Sequence, residues 1–247
     1  MKCAFKIVGM KSPYLPVLLV ILFSCSKSNS PAPTPTPTPT TRIASVDFQS
    51  ALYSATYTLS YDSSGHITKL VYDGPSAYTK SYAYEGKNIY MKTVGVKGGT
   101  DTVNLNDQGL MAEHRETGQG FTVRTVFNYD AQGIVQNSVT KTNNLPPDTT
   151  RYFFTDGDLT NTLDGGLRDT TVFDQSKLAV PGNFDDFNQL IFFGSHFYTN
   201  KHLKTSYSVA TARFHYLYQY DTKGNISTAE IRNDTSSVST WTFHYTP

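Results

Sequence analysis

The sequence contains very little cysteine. Of its 247 residues only Cys3 and Cys25 are cysteines, so residues 26–247 can form no disulfide and offer no paired-Cys metal site. The chain must therefore be held together by its core alone. It also carries no excess of one charge, with 21 Lys plus Arg against 20 Asp plus Glu. Because no basic stripe is present to neutralise phosphates, we expect no nucleic-acid partner.

The common catalytic motifs are missing as well. We find no phosphate-binding loop, zinc-protease helix or nucleophile elbow. The stretch "DGDLTN" begins like a calcium loop, but Asn161 and Leu167 occupy the positions that need Gly and Glu, which favours a plain hairpin turn. The six histidines lack the spacing of metal ligands, so we predict no metal and no cofactor: His66, His114, His196, His202, His215 and His244.

One short stretch, "EHRE", gathers acid and base groups. On a strand, Glu113 and Arg115 face one way while His114 and Glu116 face the other, so the four groups cannot converge on one substrate atom. We interpret the stretch as a solvated strand with ion pairs across strands, and we predict that the protein is not an enzyme.

Long hydrophobic runs are also absent. The most apolar stretch, residues 16–24, is far shorter than the roughly 20 residues of a membrane-spanning helix, and three lysines precede it, as in a signal peptide. Its end, "LFSC", resembles the lipobox of bacterial lipoproteins. The resemblance implies a signal peptide over residues 1–24, a lipid on Cys25 and attachment to the outer membrane of the cell envelope, facing the periplasm or the exterior. The alternative is nearby cleavage that releases a secreted protein.

Proline and threonine alternate directly afterwards. Alternating proline favours an extended polyproline II conformation, so residues 25–41 are predicted to be a lipidated Cys followed by a linker. Such a linker would hold the next domain on the order of 30 Å from the lipid surface. A ligand for a proline-recognition module is the alternative.

A short phrase recurs in the remaining segment, residues 42–247. It reads "YDSSG", "YDAQG" and "YDTKG", and similar turn-like centres follow one another every 18 to 26 residues or so. The Asp side chain can accept from backbone N–H groups two residues on, and the Gly can adopt the left-handed conformation that closes the turn. The predicted turn-forming residues are Asp62, Gly65, Asp130, Gly133, Asp221 and Gly224.

Before each turn, aromatic residues alternate with polar ones, which is typical of antiparallel strands with one face in water. Tyr-Asp-x-x-Gly followed by an apolar residue resembles the YD repeat of Rhs-type proteins. The chain resembles a family of anchored bacterial lipoproteins of unknown function built from such repeats. The resemblance implies an all-β domain, a single curved antiparallel β-meander of about eight YD-like hairpin repeats that stays partly open.

One segment breaks the rhythm of strands. Within residues 180–194 the apolar residues recur at helical spacing, Asn183 can serve as an N-cap, and Asp185 and Asp186 would lie in the first turn, where the helix dipole favours anions. We predict a short helix over 184–192 that plugs the concave face or one end of the sheet. The resembling lipoproteins carry a similar insertion.

Tyrosine is the most unusual feature of the composition, with 17 residues. Packing of the rings in ladders across strands is one interpretation, and an exposed aromatic platform for sugars or a partner is the other. Separately, Thr102, Thr149 and Thr170 follow Asp in a pattern that resembles the acceptor of an O-glycosylation system of some Gram-negative bacteria. We expect all three to lie in loops.

These features together favour a non-catalytic cell-envelope lipoprotein that presents a β-sheet binding or scaffolding surface to a protein or a glycan. The alternative is an envelope hydrolase that acts on glycans with carboxylates such as Asp185 and Asp186. That alternative requires two carboxylates about 5–10 Å apart in one pocket.

Overall fold

The computed structural model describes residues 41–95, 98–118, 120–234 and 236–246. In these ranges no helix is both long enough and apolar enough to cross a membrane. The described chain forms sixteen strands and one helix, in the order β1 (Ile43–Ser50), β2 (Ser54–Tyr61), β3 (Ile67–Asp73), β4 (Tyr78–Glu85), β5 (Asn88–Gly95), β6 (Gly99–Leu105), β7 (Met111–Gly118), β8 (Phe121–Tyr129), β9 (Val135–Thr142), β10 (Asp148–Thr155), β11 (Asp158–Asp164), β12 (Leu167–Leu178), α1 (Phe184–Phe193), β13 (His202–Val209), β14 (Ala212–Tyr220), β15 (Ile226–Asn233) and β16 (Ser237–Tyr245).

The sixteen strands form one closed antiparallel barrel, in which each strand pairs with its neighbours in sequence. Strands β1 and β16 complete the ring, with Val46 opposite Phe243 and Phe48 opposite Trp241. The expectation of a partly open meander is therefore wrong, although the all-β class and the consecutive hairpins are found. An open sheet would leave two rows of unpaired backbone groups, and the β1–β16 ladder removes both.

The hairpins turn alternately at the two ends of the barrel. Hairpins that begin with an odd-numbered strand turn at one end, which we call the open end. Hairpins that begin with an even-numbered strand turn at the other, the plugged end, and the first described residue, Thr41, lies there too. The segment between β12 and β13, residues 179–201, also leaves and returns at the plugged end, and we call it the plug.

Successive residues of each strand point alternately into and out of the barrel. In β5, Ile89 and Met91 are buried in the lumen, whereas Tyr90 and Lys92 are exposed outside. The inside of the barrel is thus largely apolar, whereas the outside mixes polar and charged residues with exposed hydrophobic ones such as Phe153 and Leu217.

The recurring Asp and Gly residues lie in turns at the plugged end. Asp130 Oδ1 accepts from the backbone N–H of Gln132 at 3.0 Å and of Ile134 at 2.8 Å, and Gly133 has a positive φ of 80°. Asp62 with Gly65 and Asp221 with Gly224 make the same kind of turn. Each turn satisfies its own backbone donors, so it needs no support from the lumen.

Helix α1 lies inside the barrel and begins and ends within one residue of the predicted segment. The Asn183 side chain caps it by accepting from the N–H groups of Asp185 and Asp186, and Gly194 ends it in the left-handed conformation. Phe187, 1 % exposed, is in edge contact with the inward-facing rings of Tyr57 and Phe243. The helix therefore fills the lumen and supplies much of the core.

The rest of the plug is held by strand ends and turns. The backbone N–H of Met111 donates to the carbonyl of His196 at 3.2 Å, and that of Ile226 donates to the carbonyl of Pro181 at 3.2 Å. The buried side chain of Gln189 joins the helix to the chain that follows it, because its Oε1 accepts from the N–H of Phe197 at 2.9 Å. These bonds close the lumen at the plugged end.

Candidate functional site

A vestibule of about 620 Å³ lies inside the barrel between the plug and the open end. Inward-facing residues of β4 to β8 form much of its wall, and the last residues of α1 close its inner side. It is large enough for a small-molecule ligand. The residues that line it are Tyr72, Ser76, Tyr78, Lys80, Thr93, Gly99, Asp101, His114, Glu116, Val123, Phe192 and Phe193.

A buried ion pair stands in the wall of the vestibule. Lys80 Nζ is 3.1 Å from Asp101 Oδ2, and the two residues are 8 % and 9 % exposed. The same ammonium donates to the carbonyl oxygen of Phe192 at 3.1 Å, near the C-terminus of α1 where the helix dipole favours a cation. The charge of Lys80 is therefore compensated twice within the protein, which offsets its desolvation.

Two further titratable groups, His114 and Glu116 on β7, project into the vestibule. Burial lowers the pKa of His114 below its ordinary value. The negative charge of Asp101 opposes this shift and the positive charge of Lys80 adds to it, so the ring is neutral at pH 7. Its Nε2 atom is buried and has no hydrogen-bond partner among the described residues. Burial raises the pKa of Glu116 above its ordinary value. The negative charge of Asp101 adds to this shift, and the positive charge of Lys80 opposes it.

Aromatic rings complete the wall. The rings of Tyr72 and Tyr78 lie 5.1 Å apart between centroids, and the Phe193 ring meets the His114 ring edge-on at 5.0 Å. Phe192 contacts Phe193 at 6.3 Å and is 51 % exposed. The vestibule thus combines apolar ring faces with a few acceptor groups, which is the usual composition of a small-molecule site.

The predicted alternation of the "EHRE" stretch is confirmed. Glu113 faces outward, where its carboxylate accepts from Arg115 at 3.1 Å and from Arg124 at 2.7 Å, and these pairs hold its pKa below the usual range. His114 and Glu116 face the lumen. The sequence did not reveal that these two residues meet Lys80 and Asp101 from other strands. A signal was present, because charged residues occupy the apolar face of predicted strands.

The carboxylates proposed for a hydrolase do not form a catalytic pair. Asp185 is bonded to Lys204 Nζ and accepts from Asn200 Nδ2 at 2.9 Å. Asp186 accepts from Asn183 Nδ2 at 2.9 Å and borders a different, smaller cavity of about 230 Å³ near the plugged end. Because the Asp185 carboxylate is bonded to Lys204 of β13 and Asn200 of the plug, it is not paired with Asp186 across a cavity as an acid and a nucleophile would be.

The other predicted residues lie apart from the vestibule. Cys25 is outside the described residues, and its lipidation stays a prediction. Thr102, Thr149 and Thr170 lie on the outer face of β6, β10 and β12, so their predicted position in loops is wrong, while their glycosylation stays a prediction. In "DGDLTN", Asp158 is fully buried and accepts from the N–H of His202 at 2.8 Å.

Most of the tyrosines pack inside the barrel. Tyr57 contacts the Tyr72 ring at 4.9 Å and the Trp241 ring at 5.7 Å, and the hydroxyl of Tyr84 donates to the carbonyl of Gly194 at 3.1 Å. Few tyrosines are exposed; examples are Tyr90 and Tyr220, each at 42 %. The rings therefore belong to the core and its contacts with the plug, as the packing interpretation predicts, and not to an outer platform.

Comparison with known proteins finds similarity of fold only. No family model and no curated protein sequence matches the chain. A porin-like protein from Bacteroides uniformis superposes with a TM-score of 0.61 at 13% sequence identity, covering 83% of this chain and 98% of the other. A porin-like protein from Bacteroides vulgatus gives a TM-score of 0.59 at 16% identity, covering 84% and 99%.

These neighbours overturn two expectations from the sequence. The suspected family of YD-repeat, Rhs-like lipoproteins is wrong, because the structural neighbours are porin-like proteins and the sheet closes into a barrel. The expected function, a lipoprotein scaffold or else a glycan hydrolase, is also wrong, because the neighbours are porin-like barrels. The Asp-x-x-Gly phrase reflects a way of turning a hairpin, which unrelated antiparallel proteins share.

Proposed function

We propose that this chain is a cell-envelope barrel of porin-like fold that binds a small solute in the vestibule without transforming it. The observation that carries the proposal is the asymmetry of the lumen, which the plug fills at one end and which opens as a vestibule of about 620 Å³ at the other. A location in the cell envelope agrees with both the targeting segment and the porin-like neighbours.

The outer wall argues for a barrel surrounded by water. Barrels that span a membrane carry an outward apolar band, and an Arg or Lys facing lipid at the bilayer midplane costs about 2–4 kcal/mol. Twelve of the sixteen strands have seven or eight residues, below the 9–11 or so that cross a membrane. Exposed charged side chains occur on the outer face all round the barrel: Asp47, Lys69, Asp73, Glu85, Lys92, Arg115, Arg124, Lys141, Arg151, Arg168, Arg213 and Arg232.

A diffusion pore in the outer membrane is the second candidate, and the description of the neighbours as porin-like favours it. Such a pore needs a continuous polar passage. In this barrel Phe187 and Ile191 of the plug, 1 % and 3 % exposed, are packed in the lumen. Passage would require the plug to leave, which would expose the apolar core to water.

Attachment through a lipid on Cys25 fits the same arrangement. The chain enters the barrel at Thr41 on the plugged end, opposite the vestibule. A lipid joined through the proline-rich linker would therefore leave the open end free to exchange solutes with the surrounding water. We propose this orientation as part of the function.

The membrane question can be tested by exchanging residues 1–25 for a secretory signal peptide that is fully removed. We expect the released protein to be soluble without detergent and to produce no conductance steps in planar bilayers. Recovery only in detergent, together with stepwise conductance, would replace the binding proposal with the pore.

Binding can be tested by thermal shift against a library of small polar and charged compounds. A ligand at 100 times its dissociation constant should raise the melting temperature by about 5–10 °C. Thr93→Trp, which fills the vestibule from β5, should abolish the shift. Thr100→Trp on the outer face of β6 is the matched control and should leave it unchanged. A library without any Thr93-sensitive ligand would contradict the proposal.

A further inference from the structure

We infer that the ligand of the vestibule is a small organic cation, an amine or a quaternary ammonium carried on an apolar body. This inference rests on the proposed function, since it names the chemistry of the solute that the vestibule would hold. It follows from the balance of charge, the supply of hydrogen-bond acceptors and the aromatic lining of the cavity.

The vestibule has two carboxylates but one ammonium group among its described lining residues, so one carboxylate has no cationic partner. Among the described residues that line the vestibule, Lys80 is the only lysine or arginine, and that ammonium is already bonded to Asp101 and to the carbonyl of Phe192. The carboxylate of Glu116 faces the same cavity and has no ion-pair partner among the described residues. With the carboxylates ionised, the described lining residues carry a net charge of about −1, which attracts a cation and repels an anion.

Free acceptors point to a ligand that donates hydrogen bonds or carries positive charge. The neutral ring of His114 leaves its buried Nε2 atom without a partner, and in the tautomer protonated at Nδ1 this atom is an acceptor. Because this atom is too buried for a direct hydrogen bond to a ligand, its lone pair acts on the vestibule through its partial negative charge, which favours a cation nearby over an anion. Glu116 offers further acceptor positions on the same strand.

The rings explain why the cation should have an apolar body. Tyr72, Tyr78, Phe192 and Phe193 all line the cavity, and aromatic faces attract cations as well as apolar surface. An inorganic cation would keep its water shell and gain little from these rings. An organic ammonium sheds water easily and can contact the rings and the carboxylate together.

Three probes of similar shape test the inference: benzyltrimethylammonium, neutral benzyl alcohol and benzoate. Their dissociation constants for the full-length protein are measured by calorimetry. We expect the ammonium to bind at least about tenfold more tightly than either of the others. Benzoate or benzyl alcohol binding as tightly as the ammonium would overturn the inference, and so would failure of all three to bind at 10 mM or so.

Two variants on one strand locate the effect. Glu116→Gln should weaken binding of benzyltrimethylammonium about tenfold. Glu113→Gln, which removes the same charge from the outer face of β7, should change it less than about twofold. If Glu113→Gln weakens binding as much as Glu116→Gln, the inference fails. If the two variants fold poorly, the selectivity of the unaltered protein among the three probes still decides.

Failure of this inference can be told apart from failure of the proposed function. A neutral or anionic library compound whose binding is abolished by Thr93→Trp would preserve the binding function and exclude the cation. The absence of every Thr93-sensitive ligand would remove both.

Discussion

Asp185 and Asp186 are adjacent in the first turn of α1, yet their carboxylates have opposite surroundings. Asp185 is bonded to Lys204 and accepts from Asn200. Asp186 accepts from Asn183 through Oδ2, while its Oδ1 atom is buried and has no partner among the described residues. Burial and the neighbouring charge of Asp185 raise the pKa of Asp186 to about 6. One carboxylate therefore stabilises the plug and the other costs stability when it ionises.

We predict that Asp186→Asn makes the protein more stable at pH 8. Because the pKa of Asp186 is higher in the folded state, its contribution to stability is complete below about pH 4 and is lost as the pH rises through about 6. Replacement by Asn should therefore raise the free energy of unfolding at pH 8 by on the order of 2 kcal/mol, with little effect at pH 4. Urea unfolding at the two pH values measures the difference.

Asp185→Asn serves as the control and should act in the other direction. It leaves the ammonium of Lys204, whose side chain is only 13 % exposed, without its carboxylate and should lower the free energy of unfolding by about 3 kcal/mol at pH 8. Equal losses of stability in the two variants would show that Asp186 is stabilised as an anion after all.

The plug can be tested through two phenylalanines of α1. Phe187→Ala should lower the free energy of unfolding by about 3–5 kcal/mol, because it leaves a cavity between the helix and the inner wall of the barrel. Phe192 is 51 % exposed at the vestibule, so Phe192→Ala should cost less than about 1 kcal/mol. Chemical denaturation measures both values, and similar losses in the two variants would contradict the packing of the plug.

Binding of benzyltrimethylammonium should weaken as the pH falls from 7.5 to 5. The pKa of Glu116 is raised above 4.5, so its carboxylate begins to take up a proton above that pH and then attracts a cation less. Burial lowers the pKa of His114, so this ring resists protonation and adds only a weaker repulsion as the pH falls. Calorimetry at three pH values measures the trend.

The Glu116→Gln variant separates these two contributions. It should keep only the weaker pH dependence that comes from His114. Affinity that increases as the pH falls would be incompatible with a cation next to Glu116.

The aspartate turns can be compared with an ordinary surface carboxylate. Asp130→Ala should lower the free energy of unfolding by about 1 kcal/mol, because two backbone N–H groups lose their acceptor. Asp107→Ala removes only an exposed ion pair with Lys87 and should leave the free energy of unfolding almost unchanged. Thermal unfolding of the two variants measures the difference, and equal melting temperatures would show that the turn does not need the Asp130 carboxylate.

Local features of the fold were readable in the sequence. The Asp-x-x-Gly phrases and the alternating aromatics predicted antiparallel hairpins, and Asn183 with the apolar spacing after it predicted α1. The closure of the barrel was not readable, because it depends on pairing between β1 and β16. Asp47 and His244, which are 2.8 Å apart, are separated by 197 residues, and no local pattern reports such a contact.

The vestibule was hidden for a related reason. Lys80, Asp101 and Glu116 lie on three strands, and each looks like an ordinary charged strand residue in its own segment. Their shared face becomes visible only when the register is known, which aligns Asp101 with Glu116. A charge among apolar inward-facing neighbours, such as Lys80 ahead of Tyr82, was the one available signal.

The pairing of β1 with β16 also determines when the barrel can close during folding. Fifteen of the sixteen strand pairings join neighbours in sequence and can form as soon as each hairpin emerges, but the last must wait for residues 237–245. Until then the first strand presents a bare row of amides and carbonyls to any other polypeptide nearby. Pairing of β16 with β1 thus removes the free edge through which a newly made chain could associate with other copies of itself.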